Sequence, residues 1–183
     1  MAYNFSGLKT KSAEIQEWLK KEFSAIHTGR ASVALLDGVR AEVYGNSMPL
    51  QQLASMNTED ARTIRITPWD GSAMPAIDKA LREANLGVSV SADDKGIRVI
   101  FPELTGESRE KYIKIAGKKL EEARISTRSA REEVWADIQK KEKEGAMSED
   151  DKFRGKEEME KIVKETNEAL DKLLERKEQE IRS

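Results

Sequence analysis

Hydrophobic residues along this chain hold one period, switch to another, and switch back. Up to about Gly29, the residues Phe5, Leu8, Ile15, Leu19, Phe23 and Ile26 share one face at helical spacing, while Lys9, Lys11, Glu14, Lys20 and Lys21 lie mostly elsewhere. This is the pattern of an amphipathic helix. Thr28-Gly29 is its expected stop, because glycine accepts the left-handed conformation that closes many helices.

The texture then changes. All four prolines (Pro49, Pro68, Pro75 and Pro102) fall between Ala31 and Leu104. Val39, Ala41 and Val43 alternate with Arg40 and Glu42, the period of a half-buried strand. Tyr44-Gly45-Asn46 reads as a turn, Leu50 to Met56 as a second strand, and Thr63 to Thr67 as a third that ends at Pro68-Trp69-Asp70-Gly71. Ser72 is placed to cap a short helix from Ala73 to Ala84. Asp93-Asp94-Lys95-Gly96 is a turn leading into a strand at Ile97 to Phe101.

Helical spacing returns after Pro102 and Thr105. From about Glu107 to Lys143 no proline interrupts a stripe of Tyr112, Ile113, Ala116, Leu120, Ala123, Thr127, Ala130, Val134 and Ile138. At 1.5 Å per residue this helix would run roughly 55 Å, a length suited to a bundle. Gly145-Ala146-Met147 breaks it. Ser148 is an N-cap, with Glu149, Asp150 and Asp151 in the first turn where the helix dipole favours negative charge. Met159, Ile162, Val163, Thr166, Leu170, Leu173, Leu174 and Ile181 then continue the stripe to the C-terminus.

No single one of these helices can bury its stripe, so the expected solution packs all three together. The predicted class is α+β: an elongated antiparallel three-helix bundle from residues 1–30 and 105–183, with a small β/α/β sandwich domain of residues 31–104 inserted after the first helix. Two strands of chain would join the domains, near Arg30-Ala31 and from Pro102 through Leu104 to Thr105. A paired connection of this kind can act as a hinge.

Composition adjusts this picture in few places. The 36% of charged residues would suit disorder, but the 38% of hydrophobic residues are periodic and support a core. A net charge of −2 argues against general adhesion to nucleic acid or membrane, and leaves room for a local basic face. Cysteine is absent, which removes disulfides and thiolate chemistry and fits a reducing compartment. The N-terminus shows no basic stretch followed by an apolar run, and no apolar run reaches membrane-spanning length. The expected location is the cytoplasm.

Candidate chemistry is sparse. His27 is the only histidine, stands at a helix end, and has no nucleophile motif beside it. Neither phosphate-cradling glycine motif occurs, and Glu149-Asp150-Asp151 lacks the spacing of a calcium loop. No cofactor, metal site or enzymatic activity is expected. The feature that stands out lies between Arg109 and Arg131, where eight basic residues (Arg109, Lys111, Lys114, Lys118, Lys119, Arg124, Arg128 and Arg131) meet three acids. Arg124, Arg128 and Arg131 fall within about 60° of one another beside the apolar stripe. A guanidinium row suits phosphate, since each fork can make two charge-assisted bonds. The other reading is a solvated helix face with local pairs such as Glu121 to Arg124.

Several short motifs then occur in one order. Thr28-Gly29-Arg30-Ala31-Ser32, Leu35-Leu36-Asp37-Gly38-Val39, Tyr44-Gly45, Pro49-Leu50, Gln52-Leu53-Ala54, Ala61-Arg62-Thr63 and Pro68-Trp69-Asp70 come first. Asp78-Lys79-Ala80, Leu86-Gly87, Ile97-Arg98, Pro102 with Leu104-Thr105, Glu122-Ala123-Arg124 and Ser148-Glu149-Asp150 follow. The whole series resembles the ribosome recycling factor family. The resemblance implies the same interrupted bundle. It also implies a translation factor that binds large-subunit rRNA on the post-termination ribosome. Such a factor splits the subunits with elongation factor G, GTP being that partner's ligand. By position, Arg128 and Arg131 match arginines of the family's rRNA-contacting helix, and Arg30 matches the arginine of its hinge motif. Lys118, Lys119, Arg124 and Arg109 complete the candidate contact set. One departure is Glu132, where family members usually carry a second consecutive arginine. The protein is expected to be a monomer with no membrane partner. Without the resemblance, the same charged bundle reads as a helical adaptor or chaperone-like interaction protein.

Overall fold

A computed structural model describes residues 3–183. The chain divides into two compact units: the residues up to Phe23 together with Ile113–Ser183, and Ser24–Tyr112.

The helical unit contains α1 (Ser6–Ser24), most of α4 (Gly106–Lys143) and α5 (Glu149–Arg182). Its three apolar stripes meet as the periodicity requires. Leu8 of α1, Ala130 of α4, and Met159 and Ile162 of α5 pack in one cluster, with Phe5, Val134 and Trp135 around it. Small residues dominate the buried side of α4 (Ala116, Ala123, Thr127 and Ala130), which lets the neighbouring backbones approach closely. Two threonines enter this core at no polar cost. Thr127 Oγ1 donates to the Ala123 carbonyl and Thr166 Oγ1 to that of Ile162, leaving their methyls to pack. Polar pairs fix the direction. Lys119 meets Glu22 at 3.1 Å while Tyr3 donates to Asp137, so α1 and α4 run antiparallel. Arg124 meets Asp171 and Lys152 meets Glu142, so α4 and α5 do too. At the start of α5 the Ser148 hydroxyl accepts from the Asp151 amide at 3.1 Å, the cap expected from the sequence.

The second unit holds two antiparallel sheets and one full helix. A hairpin pairs β1 (Arg40–Val43) with β2 (Asn46–Pro49). The larger sheet has the order β3-β4-β6-β5, from β3 (Ala54–Asp60), β4 (Thr63–Pro68), β5 (Ser89–Asp93) and β6 (Gly96–Ile100). Ile64, Ile66, Ile97 and Val99 on its inner face, Ile77 and Leu81 of α3 (Met74–Glu83), and Ala41 and Val43 of the hairpin share a core with Leu36 and Phe101.

Four local expectations need correction. The first helix stops at Ser24, short of Gly29. Here His27 Nδ1 takes the Gly29 amide, and Gly29 turns left-handed at φ +83°. Leu50 to Met56 is not one strand: Leu50–Leu53 forms a single helical turn, α2, ahead of β3. Leu50 and Leu53 are both buried, a spacing of three that a pleated strand would place on opposite faces. The α3 segment is launched by Asp70, whose side chain accepts from the Ser72 amide across a 3₁₀ turn, and not by Ser72 itself. Finally, β5 was not expected. Its sequence Ser-Val-Ser-Ala-Asp is polar because it is an edge strand on which only Val90 is half-buried.

Candidate nucleic-acid interface

The basic residues of α4 do not form one row. Arg124 is turned toward α5, donating to Asp171 Oδ1 at 2.7 Å and lying 3.5 Å from Glu121. Arg131 makes a forked contact with Glu160 of α5, its Nε donating at 2.9 Å. Those carboxylates hold both guanidinium groups above their ordinary pKa, chiefly through the hydrogen bonds. Lys119 is committed as well, to Glu22 at 3.1 Å and Glu122 at 3.0 Å, and its ammonium lies over the Trp18 ring at 5.6 Å. Arg109 is half-buried near the start of α4.

Arg128 and Lys118 are different. Both are exposed, and neither makes an ion pair or hydrogen bond with another described residue. Lys114 shares this state one turn before Lys118. The reason is angular. Measured from the centre of the buried stripe of α4, Arg131 stands at about 50° and Arg124 at about 70°, at the edge that meets α5. Arg128 stands at about 110° and Lys118 at about 170°, facing outward. Ile125 is exposed on the same outward face. It was overlooked in the sequence, although its angle of about 170° from the stripe was available.

The two chain segments around the inserted residues have defined anchors inside their own unit. The Ala31 amide donates to the Ala61 carbonyl at 2.8 Å, and the Phe101 amide to the Arg62 carbonyl at 2.8 Å. Arg30 and Pro102 are exposed. Thr105 Oγ1 accepts from the Ser108 amide at 3.2 Å and so caps α4, while half-buried Leu104 packs near Gly29. His27 is buried between the rings of Phe101 and Tyr112, with centroids 5.4 and 5.9 Å away. Its role in the fold is that of an aromatic wedge. Among the described residues no group of three or more metal-ligating side chains occurs, and no helix is long and apolar enough to cross a membrane.

Fold and surface together define an α+β protein of the interrupted-bundle class, with an outward cationic face on its longest helix. Comparison with known proteins gives the family. The model of the ribosome recycling factor family matches residues 19–181. Ribosome-recycling factors of Paenarthrobacter aurescens and Micrococcus luteus are 44% and 42% identical, each over 90% of this chain and 89% of its own length. The factor of Kocuria rhizophila is 41% identical over 96% of this chain and 95% of its own. A solution structure of the ribosome recycling factor superposes with a TM-score of 0.72 at 33% identity, covering 100% of this chain and 99% of the other. A model of the Thermus thermophilus factor, with Escherichia coli elongation factor G on the E. coli post-termination complex, gives a TM-score of 0.65 at 34% identity, covering 98% and 97%. This chain belongs to the ribosome recycling factor family, and is thereby a translation factor and not an enzyme.

Proposed function

We propose that this protein recycles cytoplasmic ribosomes after termination, binding large-subunit rRNA through the outward face of α4 and splitting the subunits with elongation factor G and GTP. Family membership supports the process, and the relative placed on a post-termination complex with elongation factor G supports the partners. The observation that carries the rRNA contact is the unpaired, exposed state of Arg128, with Lys118 on the same face. A guanidinium already held by a carboxylate must give up that partner before it binds phosphate, whereas Arg128 gives up only water. Arg128 is therefore the principal phosphate contact. Lys118 supports it, and Arg124, Arg131, Lys119 and Arg109 shape the field around it.

Movement of the inserted domain fits the same reading. Both crossing segments are tied to the Ala61-Arg62 turn at Ala31 and Phe101. Bending would then fall just outside these bonds, at Gly29-Arg30 on one strand and Pro102 to Thr105 on the other. The protein would act as a monomer, since the work comes from the GTPase of its partner.

A subunit-splitting assay with matched elongation factor G and GTP tests the function. The wild-type protein should split post-termination complexes and the Arg128→Ala variant should do so much more slowly at equal concentration. No splitting by the wild type would overturn the function, and full splitting by the variant would overturn the assigned face. A helical adaptor would instead keep protein partners in extracts freed of ribosomes.

A further inference from the structure

Ile125 is 56% exposed on α4, on the side of the helix directly away from α1 and α5. Nothing in the fold asks for it. The buried positions around it are Ala123 and Thr127, and both already face the bundle core. A β-branched residue also lowers helix stability relative to alanine, lysine or glutamate, any of which would suit a solvated position.

Its neighbours give the position a meaning. Arg128 lies one turn later, and Lys118 two turns earlier on the same face. The acids one turn before Ile125 are already engaged, Glu121 with Arg124 at 3.5 Å and Glu122 with Lys119 at 3.0 Å. Between Lys118 and Arg128 what remains open along this edge is a cation, an isoleucine and a cation, and exposed Glu132, one turn beyond Arg128, ends the cationic stretch with an acid. A protein partner would need a wider apolar area or an aromatic anchor to hold here, and Ile125 is the only large apolar side chain exposed on α4 among the described residues. A polyanion with apolar surface of its own fits better. The wide, shallow minor groove of an RNA helix offers that combination, with phosphates along its rims and sugar edges across its floor.

We infer that Ile125 is a contact residue of the rRNA interface, its side chain lying against ribose in a minor groove while Arg128 and Lys118 hold the flanking phosphates. The inference rests on the reading of α4 given above. The isoleucine supplies affinity that salt does not screen and that depends on the groove's width, so it favours a helical RNA segment over an extended strand. The arginine supplies the salt-sensitive part.

Equilibrium binding to purified large ribosomal subunits across a salt series separates the two contributions. Arg128→Ala should weaken binding and reduce the slope of log affinity against log salt by about one. Ile125→Ala should weaken binding about fivefold at every salt concentration and leave the slope unchanged. Ile125→Glu should weaken it further, most at low salt. Thermal melts should show Ile125→Ala folding as well as the wild type, because alanine is the better helix former. If Ile125→Ala binds like the wild type while Arg128→Ala is weakened, the inference about Ile125 fails and the interface stands. If both bind like the wild type, the interface itself is wrong.

Discussion

Arg131 reaches from α4 to α5, where its Nε donates to Glu160 Oε1 at 2.9 Å and a terminal guanidinium nitrogen donates to the same oxygen. The contact makes Arg131, a member of the candidate rRNA-contacting set, part of the bundle's own clasp. With side chains 34% and 42% exposed, the pair behaves as a surface ion pair and stabilises the bundle by no more than about 1 kcal/mol.

A prediction about binding follows from that contact. Arg131→Ala should reduce affinity for the large subunit less than Arg128→Ala does, since Arg131 is already engaged. Glu160→Gln should act the opposite way: it lowers stability in urea unfolding by less than about 1 kcal/mol and raises subunit affinity by freeing a cation. Co-sedimentation of the three variants checks the order. A loss with Arg131→Ala larger than with Arg128→Ala would mean that Arg131 leaves Glu160 on the ribosome.

The second unit should be sensitive to acid through one ring of charges. Arg65 of β4 and Arg98 of β6 stand directly opposite each other, a like-charge pair that two carboxylates bracket. Arg98 donates to Glu59 at 2.8 Å and Arg65 to Asp93 at 2.7 Å; Arg65 also lies 3.4 Å from Glu59 and Arg98 3.6 Å from Asp93. The register slips between Thr58 and Asp60, and this bulge brings Glu59 within reach of both arginines. The hydrogen bond from Arg98 holds Glu59 below its ordinary 4.5, and that from Arg65 holds Asp93 below its ordinary 3.8. Both folded-state values are depressed, so the stabilisation is complete above the unfolded values and is lost as pH falls from about 4.5 through the folded ones. Calorimetric melts should show a steady Tm from pH 7 to 5 and a decline below about 4.5. The variant combining Glu59→Gln and Asp93→Asn should melt lower at neutral pH and show a weaker decline.

Gly96 should tolerate no side chain. It opens β6 at φ +140°, and a Cβ there would stand 2.2 Å from the Ile66 carbonyl oxygen on the paired strand. That carbonyl belongs to the ladder and cannot withdraw. Gly96→Ala should destabilise the chain by about 3 kcal/mol or more, seen as a large drop in the urea midpoint. Gly117→Ala is the contrasting variant. It lies within α4 with nothing within 4 Å of the added methyl, and should raise stability by roughly 0.5–1 kcal/mol.

How far the sequence reveals this molecule depends on the range over which its signals act. The stripes of α4 and α5, the Ser148 cap and the strands at Arg40–Val43 and Thr63–Pro68 are written in neighbouring residues, and they are legible. The turn at Leu50–Leu53 was hidden because two leucines three apart beside a proline carry no strong period. β5 was hidden because an edge strand need not be apolar. The site was half legible. That α4 carries cations is plain from residues 109–131, but which of them are open depends on Asp171 and Glu160. These lie 47 and 29 residues further along the chain, and no local pattern pairs them. The helical angles place Arg128 about 60° farther from the buried stripe than Arg131, but within the row of three arginines read from the sequence that difference was not drawn on.

Tyr3 offers a titration that reports on the end of the bundle. Its hydroxyl donates to Asp137 Oδ2 at 2.7 Å, and its pKa is raised from 10.0 to about 12. Burial is the largest cause, followed by the hydrogen bond to Asp137 and the repulsion of that carboxylate. A phenol whose folded value lies above its unfolded one contributes stability that is intact below pH 10 and is lost as pH rises toward 12. Absorbance of the phenolate during an alkaline titration should therefore show Tyr3 ionising near 12, close to the loss of helical signal. Asp137→Asn removes the charge and weakens the hydrogen bond but leaves the ring half-buried. Its Tyr3 should ionise below 12 yet still above 10.0, because the burial cost survives. A return all the way to 10.0 would instead make the carboxylate, and not the packing of the ring, the source of the shift.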